Sequence, residues 1–260
     1  MPAFLCENCG RDFSSKQRLN THKNKANKCK LNPFELQNKI NISNIIDMAK
    51  KEDKNIWTNI KYQSDITLKL DKNTGNSCCI FGSSKSGKST CLMHLYEKYY
   101  RKYISVLFSD SPQIDLYKSK NLLISEEYEP NVIKRMHVIN KKTNNKYNFC
   151  VLFDDMVTNK NDETLKKTVL IFRNSNISSI VSLQATTLLN KQSRGSINNY
   201  LFFWYNNDEL IKDVINKFLS GVIPGTMDQK IQKYREITKD HGFIYYNSKE
   251  NIVSFHRLSL

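Results

Sequence analysis

Gly82-Ser83-Ser84-Lys85-Ser86-Gly87-Lys88-Ser89 is the stretch from which the rest of the chain is read. Its pattern is Gly, four residues, then Gly-Lys-Ser, the spacing of a phosphate-binding loop. Glycines let the backbone curl and approach phosphates closely. A curled backbone turns its N–H groups inward as an anion nest. A lysine at position 88 reaches β- and γ-phosphates, and a serine hydroxyl at position 89 ligates a magnesium ion. The candidate nucleotide contacts are therefore Gly82, Ser83, Ser84, Lys85, Ser86, Gly87, Lys88, Ser89 and Thr90.

The flanks decide between a true loop and a chance match. Cys78-Cys79-Ile80-Phe81 precedes it as a short apolar run, read as a buried strand. Residues 86–100 follow, with Leu92, Leu95, Tyr96 and Tyr99 at helical spacing. Strand, Gly-rich loop and helix form the setting this motif needs, and the helix aims its positive N-terminus at the same phosphates.

Further strands are expected at 103–108, 149–153, 177–183 and 200–205, and the alternation of Ile66, Leu68 and Leu70 predicts one or two more within 55–70. The run Phe149-Cys150-Val151-Leu152-Phe153 leads straight into Asp154-Asp155. That is a Walker B pattern: Asp154 holds the magnesium shell and Asp155 polarises the attacking water, one methylene shorter than the usual glutamate. The bland reading is an acidic pair capping the next helix. Gln184 ends the strand over 177–183 as a γ-phosphate sensor, and Arg173 stands eleven residues before it, near the end of a helix over 162–173. The aromatic stripe over 200–205 reads as core rather than a base-stacking platform.

The chain has 260 residues, 40 Lys plus Arg against 25 Asp plus Glu, and a formal net charge of +15. Such an excess favours polyanionic partners, nucleic acid first, although a Lys- and Asn-rich coding bias produces the same number. The Lys/Asn run over 141–146 fits either a phosphate grip or a solvated loop. No apolar run approaches the roughly 20 residues of a spanning helix, and the N-terminus does not read as a signal peptide. Cys78, Cys79, Cys91 and Cys150 fall within expected core elements and read as buried small hydrophobes, a distribution suited to a reducing compartment.

Residues 1–31 read as a zinc-binding module, 32–56 as a linker with a short Ile-rich helix, and 57–260 as the phosphate-loop domain. The run Cys6-x2-Cys9-x3-Phe13-x5-Leu19-x2-His22 resembles three ligands and two core positions of a C2H2 zinc finger. So few residues do not fold alone, and bound zinc supplies the missing stability. The fourth ligand departs from that pattern: the next candidate after His22 is Cys29, making a site of three cysteines and one histidine, Cys6, Cys9, His22 and Cys29. The other reading of Cys6 and Cys9 is a redox pair. Lys16, Gln17, Arg18, Asn20 and Lys23 on the expected helix are compatible with nucleic acid, or with a protein partner.

Taken in order, the phosphate loop, the Asp-Asp pair and Arg-x10-Gln with the Gln ending a strand resemble the FtsK–HerA superfamily of DNA-pumping ATPases. Leu-Phe-Asp-Asp-Met and Ser-Leu-Gln are most similar to viral genome-packaging ATPases of poxviruses, giant viruses and virophages. The resemblance spans residues 60–257. It implies an α/β fold with a RecA-like P-loop NTPase core on a mostly parallel sheet, beside the zinc-finger module. It also implies ATP hydrolysis with Mg2+, and a homo-oligomeric ring on double-stranded DNA with capsid, portal-vertex or nuclease partners. The host cytoplasm (the viral factory) and the virion are the implied locations, with no membrane. Lys88, Asp154, Asp155 and Gln184 take the catalytic roles, and Arg173 that of an arginine finger acting on a neighbour, with Arg194 a second candidate and a helix C-cap the plainer role for Arg173.

Two other functions compete. Asn159-Lys160-Asn161-Asp162 matches a guanine-reading motif, but Asp110-Ser111-Pro112-Gln113 fails the Asp-x-x-Gly a GTPase needs. A finger-bearing nucleic-acid-binding regulator that uses ATP as a switch is the alternative to a motor.

Overall fold

The computed structural model describes residues 4–5, 12–23, 56–57, 59–110, 117, 122–156 and 162–258, which fall into two compact units divided between Asn59 and Ile60. In the first, strand β1 (Phe4–Leu5) pairs antiparallel with β2 (Asp12–Phe13), with Phe4 opposite Phe13. Helix α1 (Lys16–Lys23) follows, its first turn capped by the Ser15 hydroxyl, which accepts from the Arg18 N–H at 3.3 Å. Lys16, Gln17, Arg18 and Asn20 are exposed. Cys6, Cys9, Cys29 and the linker over 32–53 lie outside the described residues, as do the side chains of Phe13 and Leu19.

The second unit is built on β3 (Tyr62–Gln63), β4 (Ser77–Phe81), β5 (Ile104–Ser109), β6 (Leu123–Ser125), β7 (Phe149–Asp154), β8 (Ile177–Leu183), β9 (Asn199–Phe202), β10 (Gly242–Asn247) and β11 (Ile252–Arg257). They form one sheet in the order β3-β11-β10-β9-β4-β8-β7-β5-β6. The six strands from β9 to β6 are parallel to their neighbours; only β10 runs antiparallel, to β9 and to β11. The helices are α2 (Lys88–Leu95), α3 (Pro130–Lys142), α4 (Glu163–Leu170), α5 (Lys191–Ser196), α6 (Asp208–Val214) and α7 (Met227–Thr238).

β4, β7 and β8 are buried at every position, as continuous apolar or small-residue runs covered on both faces must be. Alternate side chains serve opposite layers. Cys78 and Ile80 pack in the cluster of Leu92, Leu95 and Tyr96 from α2 and the π-helical turn that continues it. Phe81 turns the other way, stacking on Phe202 with ring centroids 5.8 Å apart and meeting Phe218 at 5.6 Å. Cys78, Cys79, Cys91 and Cys150 are free and buried, and burial pushes their thiols upward, so they are inert packing groups.

One expectation needs correction. Residues 55–70 do carry one strand, β3 at Tyr62–Gln63, but Ile66, Leu68 and Leu70, whose alternation suggested it, form none, although Ile66 and Leu68 are buried as anticipated. Their backbone bonds to tyrosine hydroxyls instead: the Leu68 N–H donates to Tyr99 at 2.9 Å, the Lys69 N–H to Tyr245 at 3.2 Å, and Tyr99 donates to the Ile66 carbonyl at 2.8 Å. An extended strap held this way shows the same period of two as a ladder strand.

Candidate nucleotide-binding and catalytic site

The loop Gly82–Gly87 leaves the C-terminal end of β4 and enters α2. Gly82 is locked in a space that only glycine fits: a Cβ there would stand 2.7 Å from both Phe203 Cβ and Ser86 Oγ. Its N–H donates to the Leu183 carbonyl at 3.2 Å, and the Ser83 N–H to the Trp204 carbonyl at 3.0 Å, so the end of β8 and the segment just after β9 hold the loop from both sides. Gly87 at φ +105° is the left-handed N-cap of α2, and Lys85 at φ +62° makes a second left-handed turn. Such alternation is what points successive N–H groups into one concavity.

Lys88 is buried, 4% exposed, and its Nζ donates to the Ser83 carbonyl at 3.1 Å and pairs with Asp155 Oδ2 at 3.5 Å. The Ser89 hydroxyl donates to Asp154 Oδ2 at 2.8 Å. Asp154 is the last residue of β7, 2% exposed, and its Oδ1 has no hydrogen-bond partner among the described residues. Asp155 follows with left-handed backbone at φ +53° and accepts from Gln184 Nε2 at 3.3 Å. Burial pushes the Asp155 carboxyl above the usual carboxylate range; the Lys88 ammonium opposes this, and the Asp154 charge adds to it. A raised carboxyl is a better proton acceptor.

Topology explains why distant motifs meet. β8 lies between β4 and β7, so the loop and the Asp pair stand two strand spacings apart, about 10 Å. Ser89 at the start of α2 and Gln184 at the end of β8 bridge that gap. Lys88, Ser89, Asp154, Asp155 and Gln184 thus come together at one sheet edge, where open α/β sheets bind their ligands. Arg173 is elsewhere: it precedes β8, about 20 Å of strand from Gln184, half-buried, with Nη1 donating to the Ser196 carbonyl at 3.3 Å. Arg194 is half-buried on α5, its Nη1 donating to the Leu189 carbonyl at 2.7 Å. Residues 159–161 of the guanine-type motif lie outside the described residues, and Asp162 caps α4 by accepting from the Leu165 N–H at 2.6 Å.

Two neighbours carry no local signal in the sequence. The Tyr117 hydroxyl donates to Asp154 Oδ2 at 2.6 Å from a fully buried ring. The Asn206 side chain accepts from the Ser83 hydroxyl at 3.3 Å, and its backbone N–H donates back to that oxygen. Both sit in connections between strands, and only the folded topology places them.

The sequence matches no protein-family model and no curated protein. Solved structures do match. The genome packaging NTPase B204 from Sulfolobus turreted icosahedral virus 2, in complex with sulfate, is similar with a TM-score of 0.53 and 12% identity, over 72% of this chain and 98% of its own. The chain folds as B204 does. The DNA-packaging ATPase B204 from Sulfolobus turreted icosahedral virus gives a TM-score of 0.52 at 14% identity, over 72% of this chain and 100% of its own. The pCW3 conjugation coupling protein TcpA, a monomer form with ATPγS, gives 0.52 at 12% identity, over 74% of this chain and 62% of its own.

The residues present fit a hard divalent cation. Ser89 Oγ and Asp154 are oxygen ligands within 2.8 Å of each other, and Asp154 Oδ1, without a partner among the described residues, is a buried carboxylate oxygen of the kind magnesium takes. Among the described residues no group of three or more His, Cys, Asp or Glu side chains is placed to hold a metal, and His22 is the one expected zinc ligand that is described, half-buried on α1.

Proposed function

We propose that this chain is an ATP-hydrolysing motor that moves double-stranded DNA, acting as a viral genome-packaging ATPase. The observation that carries this reading is the gathering of Lys88, Ser89, Asp154, Asp155 and Gln184 at the edge of a sheet shared with B204. Gly82 to Thr90 cradle the triphosphate, and Lys88 leaves Asp155 for the β- and γ-phosphates. Ser89 and Asp154 are the residues that would hold magnesium, which when bound neutralises charge on those phosphates. Asp155 takes a proton from the attacking water, and Gln184, bonded to Asp155, orients that water. Arg173, on the opposite edge from its own loop, meets a nucleotide only in a neighbouring subunit. A ring in which each Arg173 completes the next site makes hydrolysis depend on assembly. The +15 charge suits a sequence-independent grip on phosphates.

The first unit has the ββα order of a zinc finger, which favours zinc on Cys6, Cys9, His22 and Cys29 and a contact with nucleic acid through the exposed Lys16 and Arg18. Capsid, portal-vertex or nuclease partners and a place in the infected cytoplasm and virion belong to the same reading; no described helix is long and apolar enough to cross a membrane.

The test is ATP and GTP turnover with and without long duplex DNA, with Lys88→Ala as the blank. ATP turnover raised severalfold by DNA supports the motor. ATP binding with no turnover favours the switch, and a GTP preference overturns the ATP assignment.

A further inference from the structure

The Asp154 carboxylate is almost wholly buried, and a buried charge persists only where hydrogen bonds or counter-charges compensate it. Lys88 pairs with Asp155. Asp154 is held by two hydroxyl donors on a single oxygen, Ser89 at 2.8 Å and Tyr117 at 2.6 Å. These two bonds pin Oδ2, and Oδ1 has no partner among the described residues. The donors differ in what else they must do. Ser89 belongs to the phosphate loop and is itself a cation ligand in the proposed chemistry. Tyr117 has a fully buried ring in the apolar cluster that also holds Leu92, Tyr96 and Leu152, and its hydroxyl meets only the site itself, Asp154 and the neighbouring Ser89 hydroxyl, among the described residues.

We infer that Tyr117 is a positioning residue that fixes the Asp154 carboxylate for divalent-cation binding. This rests on the ATPase reading above and adds to it a residue outside the recognised motifs. Partners that orient a metal-ligating carboxylate commonly govern metal affinity by ten- to a hundredfold. A tyrosine merely satisfying its own buried hydroxyl would instead affect stability and leave metal affinity alone.

The test is Tyr117→Phe in the full chain, which keeps the ring and removes only the donor. Mn2+ is titrated onto the protein with saturating ATPγS, and free Mn2+ is followed by its electron paramagnetic resonance amplitude. ATPγS affinity in EDTA and the thermal midpoint are measured alongside. The expected result is an Mn2+ Kd weakened about tenfold, with metal-free ATPγS affinity within twofold of wild type. Unchanged Mn2+ affinity in a folded Tyr117→Phe protein overturns the inference, as does an equal loss of metal and metal-free nucleotide affinity. Should Tyr117→Phe fail to fold, 4-aminophenylalanine at position 117, which keeps the ring and carries an N–H donor in the hydroxyl's place, must restore both folding and Mn2+ binding; folding without Mn2+ binding overturns the inference. Wild-type protein that binds no Mn2+ with ATPγS overturns the ATPase reading, and the inference with it.

Discussion

Replacing Asp155 by Asn separates nucleotide binding from hydrolysis, and the structure sets the size of both effects. Asn keeps the shape of the side chain and its contact with Gln184 but cannot take a proton from water. Loss of a general base costs about 10^2 to 10^4 in rate, or about 3 to 5 kcal/mol of barrier. Binding moves the other way. In the wild type, Lys88 must leave its Asp155 partner at 3.5 Å to meet the phosphates. At that distance the gross attraction is about 5 kcal/mol at an effective dielectric of 20. The Asp155 side chain is 33% exposed, so solvent screening and the cost of ordering reduce the net value to about 1 kcal/mol. Asp155→Asn frees Lys88 of that cost, and the Kd for ATP tightens by up to about fivefold. Single-turnover hydrolysis and titration with a fluorescent ATP analogue measure the two quantities. A rate loss below tenfold refutes the role of Asp155 as base. ATP binding weakened more than tenfold refutes the account of Lys88.

Arg173→Ala should abolish turnover and spare ATP binding, and mixing it with Lys88→Ala subunits should restore part of the activity; no restoration speaks against a finger acting between subunits. Gly82→Ala should lose ATP binding, because its Cβ would stand 2.7 Å from Phe203 and Ser86, and unchanged ATP affinity would contradict the packed loop. Cys6→Ser should release zinc, read by elemental analysis, while ATP turnover stays within about twofold; full zinc retention refutes that ligand set. Burial pushes His256 down to about 4, and the nearby Asp65 charge opposes the shift. Its folded pKa lies below the unfolded value of about 6.5, so the unfolded chain takes up the proton first. The resulting stability is fully present above about pH 6.5 and is lost as pH falls towards 4, by about 2 kcal/mol after allowance for screening. Urea titrations of wild type and His256→Phe should show this slope only in the wild type.

The site residues that lie in contiguous signals were legible because local chemistry and topology agree there. The apolar runs at β4, β7 and β8 lead straight into Gly82, the Asp pair and Gln184 at the same sheet edge, so the loop, the Asp pair and Gln184 could be read one by one. Tyr117 and Asn206 were not legible, since each lies in a connection whose path depends on the order of strands far away in sequence. Ile66 to Leu70 misled because alternate burial records an extended backbone, whatever satisfies its hydrogen bonds. The β10–β11 hairpin escaped notice: Phe243 to Tyr246 is a continuous apolar run, and the turn before Ile252 holds its left-handed residue at Asn251 without a glycine.

The central claim is that ATP hydrolysis drives movement along duplex DNA. A triplex-displacement assay tests it most directly: a third strand bound on a linear duplex is stripped when a motor passes. The account predicts displacement with ATP, and none with ATPγS or with the Lys88→Ala protein. ATP hydrolysis by DNA-bound protein that leaves the third strand in place would contradict it.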